Sequence, residues 1–144
     1  MLHKILHYDS LLYLAPESFD SRNKWKQCES IRTIWDQSNC GSCWAVASAA
    51  AISDRICIHK NIHKMVSAEQ LMDCANLFGT GCHGGLTWAA MNFWRDSGVI
   101  SGGVYGETDT CQPYSMPRCS HHTKGCYPPC PKEIRSAPTC KYLL

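Results

Sequence analysis

The sequence predicts a mainly helical domain that gives way, from about Val99 onward, to irregular chain held by cross-links. Three observations carry this. A run without Gly or Pro extends from Cys43 to His59, helix-start and helix-stop signals follow at Ser67 and Gly98, and the last third is crowded with Gly, Pro and Cys. At 144 residues, 44% hydrophobic and 18% charged, the chain is long enough for one domain with its own core. Its formal net charge of +2 is spread without a basic run, which argues against nucleic acid or a membrane surface as a partner. The longest apolar runs fall far short of the roughly eighteen residues a membrane span needs.

Taken in order, residues 1 to 14 read as a leader. The apolar run from Leu11 to Ala15 is short and follows His, Lys, His and Asp, a poor secretory signal. In "APESFDSR", Pro16 favours extended chain. The stretch "CWAVASAAAISDRICIH" supports a helix of about four turns, and its small and apolar residues on nearly every face imply that it is mostly buried. In "SAEQLMDC", Ser67 as N-cap with Gln70 three residues on matches capping-box spacing, so a short helix follows. "LTWAAMNFWRDSG" predicts a third helix with Leu86, Ala89, Ala90, Phe93 and Trp94 close to one face, Trp88 widening that stripe, and Gly98 ending it.

Eleven cysteines are a density typical of chains that fold in oxidising compartments, and an odd count leaves at least one thiol free. The segment "QSNCGSCW", residues 37 to 44, admits four readings. It has Cys-x-x-Cys redox spacing, but no buried strand precedes Cys40 as that motif requires. It could form half of a zinc site, with Cys119, His121, His122, Cys126 and Cys130 as conceivable partners. Its cysteines could each belong to a separate structural disulfide. Or Cys43 is a nucleophile at the start of a long helix, where unpaired N–H groups and the macrodipole favour thiolate over thiol. Gln37 could then donate a side-chain N–H to a developing oxyanion alongside the Cys43 backbone N–H, with Trp44 as an apolar wall.

On the fourth reading the residues resemble a family: "CGSCW" is the local signature of papain and cathepsin cysteine proteases. The segments "SFDSR", "DQSNCGSCWA", "AISDRICIH", "VSAEQLMDC", "GCHGG", "SGGVY" and "PYSMPRCSHH" occur in the order seen in cathepsin B and cover almost the whole chain from Pro16. The resemblance implies an α+β, papain-like fold of which this chain covers mainly the helical left-hand domain plus an occluding loop. The implied divisions are residues 1–14 as a propeptide tail or unrelated leader, 15–110 as the helical domain, and 111–144 as the disulfide-stapled loop region. It implies hydrolysis of peptide bonds through a thiolate acyl-enzyme, with Cys43 as nucleophile and Gln37 in the oxyanion hole. Gly84 and Gly85 match the strip whose backbone pairs with an extended substrate. His121 and His122 match the pair that receives a substrate's C-terminal carboxylate, the source of dipeptidyl-carboxypeptidase character.

Asp36 matches the partner of His121, in a latch that holds at acid pH and is lost as pH climbs through the raised histidine value. The implied disulfides are Cys28–Cys57, Cys40–Cys82, Cys74–Cys140 and Cys119–Cys130, which leave Cys43, Cys111 and Cys126 free. No cofactor or metal is implied. Partners would be protein or peptide substrates and cystatin-type inhibitors, in a lysosomal or extracellular setting.

The chain departs from the family pattern in several places. Ser38 follows Gln37 where Gly is usual, a cost on the order of 1 kcal/mol if φ is positive. His83 replaces a common Asn, and Tyr127 replaces an arginine latch, so the loop should open more readily. The family's catalytic His and Asn lie about 130 to 150 residues beyond the nucleophile region, past residue 144. Little or no turnover is therefore expected from residues 1–144 by themselves. The contrasting reading is a non-catalytic binding or decoy relative, against which the retained Cys43 argues.

Overall fold

The computed structural model of the chain describes residues 16–75, 81–122, 124–134, 136 and 139–140. The leader read over residues 1–14, with His3 and His7, lies outside them. Among the described residues four α-helices follow in order: α1 (Ser21–Lys24), α2 (Cys43–Lys60), α3 (Ala68–Cys74) and α4 (Thr87–Ser97), with 3-10 turns at Glu29–Arg32 and Gly81–His83. Among the described residues there is no strand, only isolated bridges between Val66 and Ser101 and between Ser120 and Pro129. The helical part of the expected α+β fold is thus what these residues form.

Helix α2 runs one residue past the expected His59 and stops where Asn61 takes the left-handed conformation at φ 54, its N–H returning to Cys57 O. Asn tolerates that region because its short polar side chain bonds locally. Two serines buried in α2 satisfy their hydroxyls within the helix: Ser48 donates to Trp44 O at 2.7 Å and Ser53 to Ala49 O at 2.6 Å.

Helix α3 begins as Ser67 predicts, its Oγ accepting from Gln70 N at 3.0 Å. The reciprocal half of the capping box does not form. Gln70 Oε1 accepts from Ile100 N at 2.9 Å instead, and Ser67 N donates to Ile100 O. The side chain that could close the helix end locally is used to dock residue 100. Every residue of α3 is buried, including Glu69, Gln70 and Asp73.

The face expected on α4 is narrower than its apolar pattern. Ala89 and Ala90 are buried, Met91, Phe93 and Trp94 pack half-buried against the core, but Leu86 and Trp88 stay 47% and 46% exposed. Packing, which only the alanines can approach closely, overrides the hydrophobicity of the first turn. Gly98 ends the helix at φ +77.

The core lies where α2 meets α3 and α4. Ala45, Ala49 and Ile52 of α2 face Ala68, Leu71 and Met72 of α3 and Ala90 of α4, and the irregular chain adds Tyr114 and Met116. Alanines at the crossings let helix axes come close, and each fully buried Leu or Ile contributes roughly 1.5 to 3 kcal/mol. Four disulfides staple this body at Cys28–Cys57, Cys40–Cys82, Cys74–Cys140 and Cys119–Cys130, the pairs the resemblance implied. Each typically adds about 2 to 4 kcal/mol.

Candidate active site

Cys43 is the first residue of the 18-residue helix α2, and its thiol is free and exposed. Cys40 is bonded to Cys82, so the Cys-x-x-Cys spacing does not correspond to a redox pair. As the N1 residue, Cys43 has no intrahelical partner for its N–H, and Ser42 as N-cap makes no side-chain cap hydrogen bond. The free thiol thus stands at the positive end of a helix whose N-cap side chain does not cap it.

The loop before Cys43 is held on three sides. Asp36 Oδ1 accepts from Ser38 N at 2.7 Å, closing a turn in which Ser38 is buried with φ 56. The conformation that Gly serves elsewhere is here carried by a serine. Gly41 N donates to Cys82 O at 2.7 Å, and a Cβ on Gly41 would lie 2.5 Å from that oxygen, so only glycine permits this approach. On the third side, Tyr114 Oη donates to Gln37 O at 2.9 Å and stands 2.6 Å from Ser42 Oγ.

Trp44 is 3% exposed, with Nε1 donating to Gly81 O at 3.3 Å. Its indole lies under Gly85, where any Cβ would collide with the ring. Trp44 thus lies as a buried apolar support beneath the Gly84–Gly85 strip. The helix turns it inward because residue 44 faces the core beside Ala45. Gly84 itself has φ +105. The strip and the nucleophile loop are thus clasped by one disulfide, one backbone bond and one ring.

His121 and His122 are exposed, with ring centroids 6.1 Å apart, and share a groove with Asn39, Lys124 and Tyr127. No hydrogen bond or ion pair joins Asp36 to His121 among the described residues. The Asp36 carboxylate is taken by Ser38 N, and His121 Nε2 lies 3.9 Å from Cys119 Sγ. In this structure Asp36 and His121 are therefore not joined to each other.

Tyr127, where an arginine latch was expected, has contacts of its own. Arg118 Nη1 donates to Tyr127 Oη at 3.0 Å, with the guanidinium carbon 5.8 Å from the ring centroid, while Nη2 donates to Ile34 O at 3.3 Å. Asn39 Nδ2 adds donations to Pro131 O and Glu133 O at 2.6 and 2.7 Å. Cys119, His121 and Cys130 each bring a donor atom within 4.8 Å of the others. Two of those sulfurs are bonded to each other and offer no thiolate, so this donor set does not fit a metal.

Cys111 and Cys126 are free and exposed, as is His83 at the rim, and His59 and His63 lie at the surface. Sequence reasoning passed over Tyr114, Ser42, Asn39 and Arg118. No local pattern marks them, since Tyr114 meets its partners across 72 and 77 residues of chain.

Residues 15–142 match the family model described as papain family cysteine protease. The chain is 44% identical over 129 residues to cathepsin B-like cysteine proteinase 6 of Caenorhabditis elegans, covering 88% of this chain and 34% of that protein. It is 45% identical over 137 residues to a cathepsin B-like cysteine proteinase of Schistosoma japonicum, covering 94% and 40%. The solved structure of procathepsin B S9 from Trypanosoma congolense superposes with a TM-score of 0.72 at 34% identity, over 94% of this chain and 40% of that one. Residues 1–144 thus span between about a third and two-fifths of the length of these relatives. With a free thiol at a helix start, a glycine strip clasped to its loop and these likenesses, the chain belongs to the papain family of cysteine proteases and is cathepsin B-like.

Proposed function

We propose that the chain supplies the nucleophile half of a cathepsin B-like cysteine peptidase with dipeptidyl-carboxypeptidase character, working on protein or peptide substrates in a lysosomal or extracellular compartment. The observation that carries this is Cys43: free, exposed and first in an 18-residue helix whose N-cap hydroxyl is turned elsewhere. The Cys43 thiolate attacks a peptide carbonyl carbon, and the electron pair of the C=O bond moves onto oxygen. The Gln37 side chain and the Cys43 N–H receive that charge. Collapse expels the amine and leaves a thioester, which water then hydrolyses.

Gly84 and Gly85 take the substrate backbone, and His121 and His122, on a loop tied down through Asn39 and Arg118, take its terminal carboxylate. Among the described residues no histidine is bonded to the Cys43 thiol, so a group from elsewhere must take the thiol proton as base and return it as acid to the leaving amine.

The test is labelling by a peptidyl epoxide at pH 5.5, read by mass spectrometry of the intact chain. Cys43 should be modified well ahead of Cys111 and Cys126, which share its exposure but not its helix. Equal labelling of the three, or none, would contradict the assignment.

A further inference from the structure

We propose that Tyr114 is a positioning residue for the nucleophile: its phenol fixes the Gln37 carbonyl and draws the Ser42 hydroxyl away from the start of α2. The proposal rests on the reading of Cys43 and Gln37 given above and adds what holds them in place.

The phenol has one proton, and a carbonyl oxygen can only accept. Tyr114 must therefore donate to Gln37 O, at 2.9 Å, and the 2.6 Å contact with Ser42 must run from the serine hydroxyl to the phenol oxygen. Ser42 is fully buried and occupies the N-cap, where a serine oxygen ordinarily accepts from the second or third helical N–H. Here it makes no such bond. Tyr114 gives the hydroxyl another partner; Ala45 N donates to Ser42 O at 2.9 Å, and the Cys43 and Trp44 N–H groups stay available to the thiol and to an oxyanion. One oxygen thereby ties the Gln37 backbone to the residue preceding the nucleophile.

Tyr114 is itself held firmly. It is 2% exposed, and its own N–H donates to Gly103 O at 3.1 Å. Ser115 next to it donates through N and Oγ to the buried Glu69 carboxylate at 3.2 and 2.6 Å. Helix α3 thus sets where the phenol sits. The charged groups facing it are all acidic: Glu69 and Asp73 from α3 and Asp36 from the loop. After burial, the main cause, and against the Ser42 bond, they help push the phenol up to about 12, so it remains a donor throughout the acidic and neutral range. No charged side chain is hydrogen-bonded to the Cys43 thiol among the described residues.

The test measures iodoacetamide alkylation of Cys43 at pH 5.5 in the full chain with Cys111→Ser and Cys126→Ser, so that a single free thiol reports. Tyr114→Phe keeps the ring and frees Ser42 to cap the helix. The rate should fall about threefold, because a Ser42 oxygen capping the first turn then competes with the Cys43 sulfur for its N–H groups. Adding Ser42→Ala removes the competing cap and should restore the parent rate, a rescue that a merely structural role for Tyr114 would not give. A parent-like rate in Tyr114→Phe, or a double variant that stays slow, overturns the proposal. Should Tyr114→Phe not fold, the Tyr114 hydroxyl proton in the parent decides by NMR. It must be protected from solvent exchange and must shift on Ser42→Ala, and a freely exchanging proton overturns the proposal. Because iodoacetamide reports only thiolate availability, these outcomes are separate from the epoxide labelling that tests the peptidase reading.

Discussion

Asp73 should make this domain more stable in acid than at neutral pH. The side chain sits on α3, 5% exposed, with Oδ1 buried and unpartnered and Oδ2 held only by Gln112 Nε2 at 3.4 Å. Burial, and then the Glu69 carboxylate one turn earlier, push it from its ordinary 3.8 up to about 7, against the opposing Gln112 bond. The protonated form is the one the folded state prefers, so folding takes up a proton between the two values. Stability is fully present below the unfolded pKa near 3.8 and is lost as pH rises through about 7.

A shift of about three units, at about 1.4 kcal/mol each, sets a ceiling near 4 kcal/mol, and about 2 to 4 kcal/mol is expected. Asp73→Asn carries an amide that does not titrate, so whatever its constant cost, it removes this slope. Urea unfolding of both proteins with disulfides intact, at unit steps from pH 4 to 8, gives the difference directly. The variant should gain on the parent by the stated amount across that range. Parallel profiles would refute the reasoning, because a buried carboxyl with a raised pKa cannot leave stability independent of pH.

Other outcomes follow from particular contacts. Leu71→Ala, at a fully buried position, should cost about 2 to 5 kcal/mol in chemical denaturation. Ser38→Gly should stabilise by roughly 0.5 to 1 kcal/mol, since Ser38 holds φ 56 at a position where glycine is unstrained. Gly85→Ala should force the Trp44 ring to move, costing about 1 to 3 kcal/mol in thermal unfolding and slowing epoxide labelling of Cys43. Tyr127→Phe should speed amide hydrogen exchange over residues 124–130 while changing global stability by less than about 1 kcal/mol, because the Arg118 contact is exposed.

Much of the helical body was legible because its signals are local. Ser67 caps three residues on, Gly98 supplies the positive φ that stops α4, and the gap in Gly and Pro from Cys43 onward leaves α2 free to run. The nucleophile was legible for the same reason, since its loop and helix start are contiguous in sequence. Where expectation and structure part, a packing choice intervened. Gln70 has capping-box spacing but serves Ile100, and Leu86 and Trp88 fit an apolar face that the core does not reach.

The loop chemistry shows the same division. The adjacent histidines are plain in the sequence and the cysteine pairs are what the family resemblance implies, yet Asp36 bonds Ser38, and Arg118 holds Tyr127 where neither residue marks the contact in sequence. By itself, then, the sequence determined the three longer helices α2, α3 and α4, the family they belong to and which thiol stands at the helix start. Only the tertiary structure decided that Tyr114 would reach across more than seventy residues to Gln37 and Ser42, and that α3 would bury two carboxylates behind it. Periodicity and caps act within a turn or two of chain, whereas a buried hydrogen bond depends on where distant segments stack, and that follows from filling the core.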